Sequence, residues 1–377
     1  MGDEILITGG AGFIGTHLTQ MAIAAGYRVR ILDNLSPQIH GEEAHFSPPP
    51  GVEFLQGDVT VRADLEAAIA GTSTVVHLAA ETGTGQSMYE IDRYYRVNVQ
   101  ATALLFDILA NSNHGVSKIV LASSRSVYGE GAYLCWSCDP LGKRCFPKPR
   151  SATQLAGHDW APRCPDCGEP ATCTATRESD ALGPASIYAA TKLAQEDLVR
   201  VAAASLGLDH AILRFQNVFG EGQSLANPYT GILSIFSTRI RLGLSLPIYE
   251  DGEESRDFVH VEDVARAVLA SIGRPVTAGV TLNVGSGQQT SILQIAQLLA
   301  RIMGTTQQPY VTGAYRIGDI RHNFADLSAL KATLGEVPSI PLEEGLRRFC
   351  DWVATQPIPQ DLLDKATAEL KERNLAG

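Results

Sequence analysis

Apolar residues fall along this chain in short runs, each closed by a glycine or a polar residue and followed by a stretch with helical spacing. The first run, EILIT at residues 4 to 8, meets GGAGFIG; behind it Leu18, Met21, Ala22 and Ala25 recur at one-turn intervals, and a second run, RVRILD, ends at Asp33. That order is strand, glycine turn, helix, strand. VEFLQGD, a helical pattern over 61–70, TVVHLAA, a long helical pattern from about 90 to 113 and KIVLASS at 118–124 continue it. Strands separated by helices are joined by crossovers rather than hairpins. The pattern therefore predicts an α/β fold, a Rossmann-like doubly wound parallel sheet covered on both faces.

The rhythm returns after Ser186 with a helical pattern over 187–206 and the strand HAILRF. From 217 onward glycine and proline become frequent and the segments shorten, which predicts a smaller C-terminal substrate domain over 217–355 with one or more segments returning to the sheet. Pro341 precedes a last helical pattern at 342–354, and 356–377 reads as a charged tail.

The chain has 377 residues and a formal net charge of -11. It is long enough for a large core and too acidic to hold a polyanion by its overall field, so no nucleic-acid partner is expected. No apolar run is long enough to cross a membrane, and no basic and apolar leader precedes the first strand; a cytoplasmic protein with no membrane partner is expected.

Gly9, Gly12 and Gly15 give GxxGxxG between a strand and a helix, where backbone amides can approach a pyrophosphate. Phe13 and Ile14 belong to the same turn. Asp33 ends the second strand, placed to accept hydrogen bonds from both adenine-ribose hydroxyls, with Asn34 beside it and Asp58 and Val59 flanking the adenine. A carboxylate there repels a 2′-phosphate, and Arg28 and Arg30 precede the acid rather than follow it, so NAD is expected rather than NADP. The NAD-binding domain then spans 1–216. A tight glycine turn with a solvent-exposed aspartate is the plainer alternative.

Tyr188 and Lys192, in SIYAATK, lie at i and i+4 on one helix face, where an ammonium can favour the phenolate and make proton abstraction from a sugar hydroxyl feasible. The chain resembles the extended short-chain dehydrogenase/reductases of the nucleotide-sugar epimerase and dehydratase group. The residues that carry the resemblance are GxxGxxG at 9–15, HLAA at 77–80, SSRSVYG at 123–129, YxxxK at 188–192, LRFQNVFG at 213–220, RDFVHVEDVA at 256–265 and YRIGDIRHNFAD at 315–326. It implies that Ser124 hydrogen-bonds the reacting oxygen, that Tyr188 is the general base or acid, and that Lys192 lowers the tyrosine pKa and binds the nicotinamide ribose. Leu78, Ala79, Ala80 and Phe215 would complete the cofactor site, and Asn98, counted with them, would help order the active-site edge. Asn217 would contact the sugar-nucleotide phosphate, with Arg256 and Arg316 on the two phosphates and Arg321 assisting. The loop ETGTGQSM at 81–88 would face the sugar, through Thr84 and Ser87.

Family 4,6-dehydratases carry an aspartate and a glutamate directly after the active-site hydroxyl residue; here Arg125 and Ser126 stand there, which disfavours dehydration. The resemblance then implies a 4-epimerase (isomerase) with retained NAD, oxidising C4 to a ketone and returning hydride to the opposite face. A 4-ketoreductase or dehydrogenase is the alternative enzyme, and a dinucleotide-sensing binding protein the alternative class. Such enzymes usually pair as homodimers through helices near 98–113 and 187–206.

Ser124 and Tyr188 are 64 positions apart, and the excess over the usual family spacing lies in an insert at roughly 131–178. It contains six of the seven cysteines, among them Cys135-x2-Cys138 and Cys164-x2-Cys167, two knuckle-like pairs suited to a structural zinc. Cys145, Cys173 and His158 are alternative ligands, and an iron–sulfur centre is an alternative occupant. An insert of this kind after YGEG also resembles bacterial dTDP-L-rhamnose 4-epimerases, which gives a first substrate expectation. UDP-glucose, UDP-glucuronate and GDP-sugars remain alternatives.

Overall fold

The computed structural model describes residues 3–41, 45–225, 227, 231–273, 279–335 and 340–377. A seven-stranded sheet runs in the spatial order Val280–Val284, Asp209–Phe215, Lys118–Ser124, Thr74–His77, Glu4–Thr8, Arg28–Asp33, Glu53–Gln56, with every pair parallel. Ile5, Leu6 and Ile7 are wholly buried, as befits a strand covered on both faces, where an unbroken apolar run replaces alternation. One face packs the helices Phe13–Ala24 and Val261–Gly273 around Leu18, Val264 and Val268. The other packs the helices Arg62–Ile69, Ala101–Asn111 and Ile187–Leu206 around Leu65, Leu105 and Val199.

The expected return of later segments to the sheet is seen in Val280–Val284, which forms one edge, and in the helix Val261–Gly273. The rest of the C-terminal half builds a third core around Phe236, Leu299 and Phe349. The strand order reverses between Glu4–Thr8 and Thr74–His77, and a doubly wound sheet opens its ligand crevice at the carboxyl ends of the strands beside such a reversal.

Two regions differ from plain sequence expectation. The insert forms a small antiparallel sheet of Lys143–Cys145, Tyr133–Cys135 and Thr172–Cys173. The stretch read as a tail contains the helix Leu363–Glu372, which buries Leu363, Ala366 and Leu370. This helix touches both halves of the molecule: the Tyr89 hydroxyl donates to Glu369 at 3.3 Å, and Tyr249 and Thr367 share a hydrogen bond of 3.0 Å. Among the described residues no helix is long and apolar enough to cross a membrane.

Candidate active site

A cavity of about 760 Å³ runs across the carboxyl ends of the strands. At one end lies the glycine turn. Gly9 has φ +70°, and a Cβ there would stand 2.8 Å from the backbone of Ala79; one at Gly15 would stand 2.5 Å from Gly10. Only glycine lets the strand, turn and helix approach so closely. The helix Phe13–Ala24 begins at Gly12 without a side-chain cap, leaving first-turn amides for an anion. Asp33 accepts the Ala11 amide at 3.1 Å on one oxygen and the Leu35 amide at 2.9 Å on the other, which fixes the carboxylate while leaving each oxygen a further lone pair. These residues fit a dinucleotide with free adenine-ribose hydroxyls. Every residue expected at the cofactor lines the cavity except Asn98.

Asn98 stands instead in a widened helical turn, Tyr95–Gln100. It accepts the Glu81 amide at 2.8 Å and donates to the Glu81 carbonyl at 3.1 Å and to Thr191 at 3.0 Å. Its side chain orders the edge of the loop, the role the resemblance implies for it.

At the middle of the cavity Ser124 ends its strand and accepts the Ser126 amide at 3.2 Å, capping the turn Arg125–Tyr128. The helix carrying Tyr188 and Lys192 starts at Ser186, whose hydroxyl accepts the Ala189 amide at 3.1 Å. Tyr188 is deeply buried, which raises its pKa; a hydrogen bond with Ser124 and the positive Arg125 work against that rise. Lys192 donates to the Ala122 carbonyl at 3.0 Å, and burial pushes its pKa down to about 7, opposed by Glu196. Burial is the largest influence on the Tyr188 phenol, and the net shift is upward. Behind the strand, Glu196 takes both a 2.9 Å and a 2.7 Å hydrogen bond from Arg214, which also reaches the Tyr128 hydroxyl at 2.8 Å. Sequence reasoning misses this buried brace because a Glu eight residues beyond Tyr188 looks like an ordinary helix surface residue.

The far end carries Asn217, Arg256, Arg316 and Thr84, as expected, together with Glu254, Asp319, Tyr249 and Leu363. Arg316 stacks on the Tyr249 ring at 4.8 Å, and its buried Nε has no hydrogen-bond partner among the described residues. Arg256 donates to the carbonyls of Ser255 and Ile320, each at 2.8 Å. Two expected contacts are not brought to the cavity. Arg321 is held by Glu250 at 2.8 Å and Asp251 at 2.7 Å, and the Ser87 hydroxyl accepts the Tyr188 amide at 3.0 Å.

This geometry accompanies clear kinship. Residues 5–152 and 154–285 match the model of the NAD dependent epimerase/dehydratase family. The chain belongs to that family. A dTDP-L-rhamnose 4-epimerase from Burkholderia thailandensis is 40% identical over 94% of this chain and 96% of its own length. Among solved structures, the UDP-N-acetylglucosamine 4-epimerase from Methanobrevibacter ruminantium M1, in complex with UDP-N-acetylmuramic acid, superposes with TM-score 0.75 at 29% identity, covering 95% of this chain and 100% of that one. A Thermus thermophilus UDP-glucose 4-epimerase in complex with NAD superposes with TM-score 0.69 at 26% identity, covering 94% and 100%.

Within this epimerase/dehydratase frame the insert brings Cys135, Cys138, Cys164 and Cys167 together, their sulfurs all within 4.8 Å of one another. Cys135 and Cys167 are 3.5 Å apart and Cys138 and Cys164 3.8 Å. Thiolates about 2.3 Å from a tetrahedral ion stand about 3.8 Å apart, so the quartet fits zinc. Cys145 and Cys173 lie outside it, their thiols pushed up to about 12 by burial, and His158 packs on Trp160 at 5.2 Å. The same insert carries Arg150, buried against Glu250 at 2.7 Å and Glu130 at 3.5 Å and donating to the Asp319 carbonyl at 3.0 Å. Glu130 in turn accepts the Arg321 amide at 2.8 Å. Arg321 thus belongs to a clamp that joins the insert to the segments carrying Glu250 and Asp319.

Proposed function

We propose that the protein is an NAD-dependent nucleotide-sugar 4-epimerase, with dTDP-L-rhamnose and its talo epimer as the first substrate pair. The observation that carries this reading is the position of Ser124 and Tyr188 midway along one cavity, between a dinucleotide end fixed by Asp33 and an arginine-lined end. NAD, when bound, supplies a hydride acceptor and later the donor. Tyr188 takes the proton from the C4 hydroxyl and returns it; Ser124 holds the oxygen that becomes the ketone; Lys192 positions the ribose beside them. Asn217, Arg256 and Arg316 hold the diphosphate, and a local field of this kind is compatible with an acidic protein. Arg125 and Ser126, standing where a dehydratase needs an acid pair, support epimerisation over loss of water. The relative at 40% identity supports the substrate assignment.

We assign zinc a structural role, since four sulfur ligands leave no open position. A cysteine quartet holding a metal rather than a disulfide framework favours a reducing, cytoplasmic setting. We expect a homodimer paired through the helices Ala101–Asn111 and Ile187–Leu206, the second of which presents Val201 at 72% exposure. Tyr188→Phe tests the chemistry: turnover should fall at least ~10²-fold while folding and NAD content stay unchanged. Turnover at the normal rate would overturn the assignment of the base.

A further inference from the structure

Arg125 follows Ser124 directly and lies in the cavity wall between the reaction centre and the arginine end. Its Nε donates to Asn217 Oδ1 at 2.9 Å, and that is the one hydrogen bond this guanidinium makes among the described residues. Among those residues its two amino groups have no partner, and no carboxylate stands within ion-pair distance. The largest charge influence on it is a like one: burial first, then Arg256, pushes the Arg125 pKa down to about 9, with Asp319 opposing. Two guanidinium groups converging inside one cavity, in a protein of net charge -11, are costly to hold together until an anion lies between them.

We propose that Arg125 is a substrate-binding residue that grips the sugar-linked phosphate of the nucleotide sugar, its Nε edge fixed by Asn217 and its amino groups on the phosphate oxygens. The proposal rests on the nucleotide-sugar reading. Position selects the phosphate: Arg125 adjoins Ser124 in the chain and so lies on the reacting side, whereas Arg316 is held on the Tyr249 ring at 4.8 Å. A planar two-pronged donor holds a phosphate in a defined orientation, which a point charge on a flexible stem does not. For an epimerase this matters, because the ketone must turn over while the diphosphate stays still. A fixed phosphate next to the sugar is the pivot for that turn.

The test is calorimetric binding of UDP, UMP, dTDP and dTMP to the NAD-loaded wild type and to Arg125→Met and Arg125→Lys, with thermal melting and NAD content as folding controls. Only the diphosphates carry the phosphate that the sugar would be linked to. Arg125→Met should weaken the better-bound diphosphate by about 10- to 100-fold and leave its monophosphate within about twofold, and Arg125→Lys should fall between. Equal loss for diphosphate and monophosphate, or no loss for either, would overturn the proposal. So would an unchanged diphosphate preference accompanied by an alkaline shift in the kcat–pH profile of Arg125→Lys, which would make Arg125 a partner of Tyr188 instead. Failure of the wild type to bind either diphosphate would sink the nucleotide-sugar reading itself, and the proposal with it.

Discussion

His77 shows how a single side chain ties the fold to pH. Its Nδ1 lies 2.8 Å from the Thr8 hydroxyl and its Nε2 3.1 Å from the Thr102 hydroxyl, while Thr102 donates onward to the Asn98 carbonyl at 2.6 Å. Thr102 has its proton committed, so Nε2–H donates to it and Nδ1 accepts from Thr8: a neutral imidazole satisfies the chain and a cation does not. Burial, with Lys192 nearby, pushes the pKa from 6.5 down to about 3. Because the folded pKa lies below the unfolded one, the unfolded state binds the extra proton, and stability is lost as pH falls from about 6.5 towards 3. The expected loss from this residue is about 2 kcal/mol between about pH 7.5 and pH 5, and His77→Asn should flatten the stability–pH slope by that amount in urea titrations. An unchanged slope would contradict this account. In the sequence His77 is only part of HLAA; nothing about the motif reveals that both ring nitrogens are enclosed by hydroxyls from other segments. The same holds for Arg125, which from sequence registers as the absence of an acid and in space as an unpaired cation.

At the scale of elements, the parts legible in sequence were those with a period. The strand, glycine turn and helix at 4–24 and the helix Ile187–Leu206 follow from apolar spacing, the second starting directly after Ser186. The cysteine quartet was legible because two knuckle spacings recur. What the insert does was not: Arg150 lies in a proline-rich stretch with no period, yet it joins Glu130, Glu250 and the Asp319 carbonyl, residues from three separate segments. This connection predicts a coupling. Under the zinc assignment proposed above, treatment with a chelator should raise KM for the nucleotide sugar several-fold and open 131–178 to protease, with NAD retained. Arg150→Met should reproduce the KM change and cost about 3 kcal/mol of stability, since it leaves buried Glu130 without its cation while Glu250 keeps Arg321. A stripped protein with unchanged KM, assayed alongside the zinc-loaded form, would separate the insert from the substrate end.

Across the whole molecule the sheet order follows from alternating strands and helices, and the site lies where the strand order reverses. The C-terminal stretch was harder. Leu363, Ala366 and Leu370 carry a helical spacing, but the charged residues between them hide it, and only its seat against Tyr249 and Tyr89 gives the helix a partner. The outcome is one cavity whose walls come from the sheet, the later lobe and this last helix. The reaction proposed for that cavity is reversible oxidation at C4 with NAD retained. The most direct measurement is proton NMR of the purified protein with dTDP-L-rhamnose and no added cofactor, following the C4 and anomeric protons while absorbance reports NADH. The account predicts catalytic appearance of the talo epimer with no net NADH. A folded, NAD-loaded protein that leaves C4 unchanged in dTDP-L-rhamnose, UDP-glucose and UDP-glucuronate, or that converts sugar only as added cofactor is consumed, would contradict it.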